Sequence, residues 1–205
     1  AVSMFIPEDS KVVSIEDTRE ITLPHDNWIQ SLTRDSITAE GRGEVSMYEL
    51  LQAALRQRPE YLLVGEIRTE QNVAFTFFQA MATGHTSYTT VHADSVESAL
   101  SRLQNEPLSV PAQMVQELDI LAIQRQIYTG DRRVRRAEEI AEIVPADHGS
   151  VAGRTVFERD ARDDVHERVG TSLVLAEIAE ERGWTEEDLL EELGLREEVL
   201  TYLVD

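Results

Sequence analysis

The chain has 205 residues, 41% of them hydrophobic, and a net charge of −20. That length suits one large domain, or one with a small companion, and the apolar share is enough for a substantial core. The acidity makes it a poor general ligand for nucleic-acid phosphates, the lack of Cys excludes a disulfide framework and a thiolate-held metal, and no apolar run approaches the roughly 20 residues that span a bilayer. The acids are spread through well-patterned apolar segments, which argues against a disordered acidic tail. No signal peptide is visible, and a soluble, cytosolic protein is expected.

In chain order, Ala1 to Ile6 is a short apolar start closed by Pro7. Lys11-Val12-Val13-Ser14-Ile15 is β-branched and apolar, a core strand, and it runs into Glu16-Asp17-Thr18-Arg19-Glu20. Acids at the end of a buried strand are either turn chemistry or a site. Ile21 to Gly43 reads as an irregular excursion without clear periodicity, and such long connections are often functional. Ser46 to Arg58 reads as a helix, with Ser46 and Glu49 in capping-box spacing and Leu50, Leu51, Ala54 and Leu55 on the apolar face. It stops before Pro59.

Tyr61-Leu62-Leu63-Val64 is a short apolar run before Gly65, the pattern of a strand buried on both faces in a parallel sheet. Glu66 then stands at its C-terminal end, the edge where open α/β sheets bind ligands. Gln71 to Met81 reads as a helix with Val73, Phe75, Phe77, Phe78 and Met81 largely on one side, ended by Gly84. His85 to His92 is a second β-rich run with a His at each end and Asp94 beyond. Strand, acid, helix, glycine and strand within about thirty residues make a βαβ unit.

Ser95 to Gln104 and Ala112 to Leu118 are expected helices, and Asp119 to Tyr128 with Arg133 to Val144 an antiparallel hairpin turning at Thr129-Gly130-Asp131. Pro145 to Gly153 is a linker rich in Gly, Asp and Pro, and Val156-Phe157 opens a small polar β segment. Three short amphipathic helices are expected in the tail, over Thr171–Arg182, Thr185–Leu193 and Arg196–Leu203, split by Gly183 and Gly194. The expected division is a core over 1–144 and a mostly helical subdomain over 145–205.

Three of these stretches carry a family resemblance. Ser14-Ile15-Glu16-Asp17-Thr18-Arg19-Glu20 resembles the "Asp box" of the type II/type IV secretion ATPase superfamily. Tyr61 through Arg68 resembles its Walker B motif, which ends in Gly-Glu, and Gly84-His85 through Thr90-Val91-His92-Ala93-Asp94 resembles its His box. With Leu55-Arg56-Gln57-Arg58-Pro59-Glu60, the archaeal branch that serves type IV pilus-like and archaellum assembly is the most similar. Lys11 is the only lysine, every other fixed cation being Arg, and a carboxylate-rich, Lys-poor chain resembles proteins of salt-loving archaea.

The resemblance implies an α/β fold, a RecA-like P-loop NTPase core that works as a homo-hexameric ring. It implies ATP and Mg²⁺ as cofactors, and pilin assembly or protein export as the driven process. A membrane platform protein would be the partner, pilin-like substrates would be engaged indirectly, and the ring would sit at the cytoplasmic face of the membrane. Hydrolysis of a γ-phosphate needs a Mg²⁺ clamp, an oriented water and cations for the transition-state charge. Glu66 is the candidate to hold the metal shell or polarise the water, Asp17 the second metal candidate, and Glu20 or Glu16 the rival general base. His85 and His92 are candidates to sense the γ-phosphate or to bond across a subunit interface. Arg42, Arg56 and Arg58 are, by resemblance, candidate fingers onto a neighbour's nucleotide, Arg56 first, because guanidinium is planar, always charged and bidentate. Gln52 stands where many bacterial relatives have a further finger Arg.

No G-x-x-x-x-G-K-[ST] loop occurs in these 205 residues. That loop cradles the phosphates. The expectation is that Ala1 to Pro7 corresponds to the helix just downstream of it, and that this chain by itself binds ATP very weakly and does not turn over. The alternative is a non-catalytic regulatory or interaction subunit of the same fold.

Overall fold

A computed structural model of the chain describes residues 2–36, 43–130 and 132–204. Four strands, β1 (Val12–Glu16), β2 (Trp28–Leu32), β3 (Tyr61–Val64) and β4 (Thr86–Thr89), form a parallel sheet in the order β2-β1-β3-β4. All five β1 residues are buried, as are Leu62, Leu63 and Val64 of β3, which accounts for their near-continuous apolar sequence. Ser14 is the polar exception in β1, and its hydroxyl accepts a hydrogen bond from the Trp28 indole at 2.9 Å, so no buried polar atom is stranded there. Strand β2 lies inside the stretch expected to be irregular. Its residues are half-buried or exposed, and Gln30 and Ser31 break the apolar run, so only pairing with β1 marks it as a strand.

Helix α1 (Met47–Arg56) starts with both bonds of the expected capping box: the Ser46 hydroxyl accepts from the Glu49 amide at 3.3 Å, and the Glu49 carboxylate from the Ser46 amide at 3.0 Å. At its other end, the Lys11 ammonium donates to the Gln57 carbonyl at 2.6 Å, placing the chain's single lysine on the negative end of the helix dipole. Helix α2 (Gln71–Ala82) buries Val73, Ala74, Phe77, Phe78 and Ala80, and the Phe77 and Phe78 rings meet edge to face at 5.9 Å. Phe75 does not join them and is 44% exposed: two residues along a helix is more than half a turn, so Phe75 and Phe77 cannot share a face. Gly84 follows the helix with φ +90°, a conformation suited to glycine. Helices α3 (Val96–Gln104) and α4 (Ala112–Val115) pack on each other, and α4 also packs on α2.

The remaining strands, β5 (Ile120–Thr129), β6 (Arg132–Pro145), β7 (Val151–Asp160) and β8 (Val165–Arg168), make a second sheet in sequence order, with β5–β6 and β7–β8 antiparallel. The expected hairpin is thus half of a four-stranded sheet. Charged residues are interspersed among the apolar ones of β7 and β8, and that hides their period. Arg136 of β6 grips Asp164 of the β7–β8 turn through Nε and Nη2, and the buried Arg159 guanidinium of β7 pairs with Glu138 of β6 and with Asp164. The Arg136 bond holds the Asp164 carboxyl below its ordinary pKa.

Two helices follow, α5 (Leu173–Arg182) and α6 (Glu186–Val204). The buried Glu142 carboxylate accepts from the Ser172 hydroxyl and from the Leu173 amide at 2.7 Å, an acid bonded to the first amides of α5. Helix α6 runs unbroken through Gly194, where a stop was expected. A single glycine costs a helix interior only about 1 kcal/mol, less than the rest of the run supplies. Contacts group residues 1–118 with 143–153, and residues 119–142 with 154–205, so the β5–β6 hairpin, read from sequence as part of 1–144, falls mostly with the second group.

Candidate active site

The parallel register builds the site. Ile15 pairs with Val64, and Val64 with Thr89. Beyond that register Glu16, Gly65 and Thr90 close the C-terminal edge of the sheet, and Asp17 and Glu66 follow them in the chain. Hydrogen bonds hold that edge: the Gly65 amide donates to the Ile15 carbonyl at 2.8 Å, the Thr90 hydroxyl to the Gly65 carbonyl at 2.6 Å and the Ile67 amide to the Thr90 carbonyl at 3.0 Å.

Asp17 and Glu66 share one cation. Arg68 Nε lies 2.8 Å from Glu66 Oε2 and Arg68 Nη1 lies 3.3 Å from Asp17 Oδ2. The Glu66 hydrogen bond and charge, with Asp17 behind them, raise the Arg68 pKa above its ordinary value. The other Asp17 oxygen accepts from the Thr33 hydroxyl at 2.9 Å. The other Glu66 oxygen, Oε1, lies 3.0 Å from Nε2 of the exposed His92. That contact has an ion-pair distance without hydrogen-bond alignment, and Oε1 is buried with no hydrogen bond to it.

Glu16 does something different. It is 2% exposed; Oε1 accepts the Glu20 and Ile21 amides at 3.0 and 2.9 Å, and Oε2 accepts from the Gln30 amide group at 3.2 Å. Its carboxylate folds the loop after β1 back on itself. Glu20 is exposed and, with Asp17, Glu66, Arg68 and Thr90, lines a cavity of about 120 Å³ over the sheet edge.

The structure therefore brings together Glu16, Asp17, Glu20, Glu66 and His92. It does not bring the other sequence-derived candidates to them. His85 precedes β4, at the N-terminal edge of the sheet, with its ring against the Ala80 carbonyl at 3.2 Å. Arg56 ends α1 and Arg58 precedes β3, both exposed at that same N-terminal edge, Arg58 with φ +51°. Arg42 lies outside the described residues. Sequence reasoning passed over Arg68 and Thr90 as site residues. Arg68 had a signal: in extended chain a residue two beyond Glu66 points to the same side. Thr90 had none, since its hydroxyl meets Gly65 only across the β3–β4 register.

Among the described residues, no helix is long and apolar enough to cross a membrane, and no three His, Cys, Asp or Glu side chains converge to hold a metal by themselves.

Comparison with known proteins agrees with this architecture. A family model described as "Type II/IV secretion system protein" matches residues 1–186. The protein MJ1287 of Methanocaldococcus jannaschii is 45% identical over 206 residues, covering 99% of this chain and 75% of that protein. VirB11 of Rhizobium radiobacter is 40% identical over 88 residues, 42% of this chain and 24% of the relative. The crystal structure of the VirB11 ATPase from the Brucella suis type IV secretion system matches with a TM-score of 0.53 at 25% identity, covering 67% of this chain and 41% of that one. The Legionella pneumophila ATPase DotB matches in fold, with a TM-score of 0.51 at 22% identity over 69% of this chain and 38% of that one. The chain thus spans three quarters of MJ1287 but less than half of the VirB11 and DotB proteins, and its parallel sheet with flanking helices is part of a RecA-like ATPase-type domain. This chain belongs to the type II/IV secretion system protein family.

Proposed function

We propose that the chain forms the hydrolytic side of an ATP site in a motor that drives type IV pilus-like assembly or protein secretion. The observation that carries this is the Asp17–Arg68–Glu66 cluster at the C-terminal edge of a parallel sheet, in a member of this family. The stretches around it are those that resemble the Asp box, Walker B and the His box.

The residues suit Mg²⁺. Their donors are hard oxygens, and Glu66 Oε1 is buried with no hydrogen bond, a coordination direction to spare. So sparse a set suits a cation that keeps several waters and takes its remaining ligands from substrate phosphates. When bound, Mg²⁺ supplies the charge that neutralises the phosphate oxygens. In this reading Asp17 and Glu66 hold the metal shell, and Glu66 or Glu20 orients and polarises the attacking water. Glu16, with both oxygens engaged, positions the loop that carries Asp17 and Glu20. His92 stands against Glu66, its Nε2 3.0 Å from Oε1, and reports on the γ-phosphate.

Arg56, Arg58 and His85 fit a different place in the mechanism. Strand β3 separates their edge from Glu66 by four residues, about 13 Å of extended chain. Arg56 and Arg58 serve a nucleotide held by another copy, as finger residues in a ring of six, and His85 bonds across the same subunit interface. The ring works at the cytoplasmic face of the membrane against a platform protein, with pilin-like proteins moved indirectly.

The test is turnover. A protein that carries these residues together with a G-x-x-x-x-G-K-[ST] loop is expected to hydrolyse ATP with Mg²⁺, and Glu66→Gln to lower kcat by at least about 100-fold, the range lost with a general base. The 205 residues alone are expected to bind ATP very weakly in a calorimetric titration. Unchanged turnover in Glu66→Gln, or stoichiometric ATP binding by the chain alone, overturns the corresponding half of the reading.

A further inference from the structure

Arg68 is more than a neighbour of the acid pair. Asp17 and Glu66 follow the ends of the paired strands β1 and β3, and two carboxylates brought that close repel each other. The Arg68 guanidinium answers both with different nitrogens, Nε to Glu66 at 2.8 Å and Nη1 to Asp17 at 3.3 Å. The Arg68 carbonyl is itself held by Arg102 Nη2 at 3.2 Å, which fixes the backbone from which the guanidinium reaches. Its side chain is 57% exposed, so no packing blocks it from swinging outward. The carboxylates it occupies are those assigned above to the metal shell.

We propose that Arg68 is a positioning residue that acts as a built-in counter-cation. It holds Asp17 and Glu66 in place when no divalent cation is present and competes with that cation for the same two carboxylates. This rests on the metal-binding role given to Glu66 in the proposed function. A fixed positive charge within a few ångströms of a divalent ion opposes its binding, and an arginine cannot shed its charge to make room. The site therefore passes between two paired states, carboxylates on arginine and carboxylates on metal. Arrival of the metal frees a guanidinium at the mouth of the cavity, where phosphate oxygens are its natural bidentate partner.

The test is Mn²⁺ binding, followed by the loss of the free-ion paramagnetic resonance signal, on the whole 205-residue chain at constant high salt. Glu66→Gln gives the background from other acidic surface. Arg68→Gln is expected to bind the Glu66-dependent Mn²⁺ at least about fivefold more tightly than the unsubstituted chain. Arg68→Lys, which keeps the charge, is expected to stay close to the unsubstituted chain. Any loss of melting temperature in Arg68→Gln under chelator is expected to be recovered on adding Mn²⁺, which a purely structural role for Arg68 would not produce. If Glu66-dependent binding exists but is unchanged or weaker in Arg68→Gln, the counter-cation role is overturned and the metal role of Glu66 stands. If no variant shows Glu66-dependent binding, the two carboxylates hold no cation without phosphate ligands, and the competition proposed for Arg68 is overturned.

Discussion

Four acids crowd the edge of the sheet, and their partners separate them by task. Glu16 is buried and gives both oxygens to groups of its own unit, two of them backbone amides. Hydrogen bonds from amides to a charged acceptor are among the stronger ones, and an amide in that place offers a poorer acceptor and a surplus N–H. Glu16→Gln is therefore expected to lower stability by about 1–3 kcal/mol in urea unfolding. Glu66→Gln changes it by less than about 1 kcal/mol, because Glu66 keeps one oxygen with no hydrogen bond and meets an exposed arginine. Equal losses would contradict the division of labour between the two acids. Nothing in their order along the chain distinguishes them: both close a buried strand. Only the direction of the loop after β1 shows which acid is spent on folding.

Local chemistry explains most element boundaries. The Ser46/Glu49 box starts α1, Lys11 seals its far end, and the apolar runs of β1 and β3 suit strands with neighbours on both sides. Glycines require the structure as well. At Gly194, inside α6, a methyl group would meet nothing within 4 Å, whereas at Gly170 it would lie 2.5 Å from the Thr155 carbonyl oxygen. Gly194→Ala is expected to raise stability by about 0.5–1 kcal/mol, the helix-propensity difference. Gly170→Ala is expected to lower it by about 1–3 kcal/mol, since backbone must shift to relieve the clash. Thermal melts followed by circular dichroism compare the two, and a destabilised Gly194→Ala would show that α6 is interrupted after all.

For the molecule as a whole, charge is the dominant quantity. At −20 the folded chain repels itself, and the one lysine is already committed to a helix end. Raising KCl from about 0.1 M to about 1 M shortens the screening length from about 10 Å to about 3 Å. The melting temperature is expected to rise steadily over that range, because salt removes more repulsion than attraction in a chain with twice as many acids as fixed cations. A melting temperature that is flat or falling with salt would mean that the local pairs, such as Arg159 with Glu138 and Asp164, outweigh the net charge.

The sequence by itself determined the α/β class, the two central strands, the helices that flank them with the Ser46/Glu49 cap, and the acids that close those strands. Each is written in spacing of fewer than about fifteen residues, the reach of local hydrogen bonds and hydrophobic period. The tertiary structure alone decided the rest. It placed β2 in the sheet through pairing with β1, and it carried His85, Arg56 and Arg58 to the edge away from Glu66. It also enlisted Arg68 between Asp17 and Glu66, two residues far apart in the chain. Parallel strands draw their register from neighbours distant in sequence, and the meeting of Asp17, Glu66 and Arg68 is a consequence of that register.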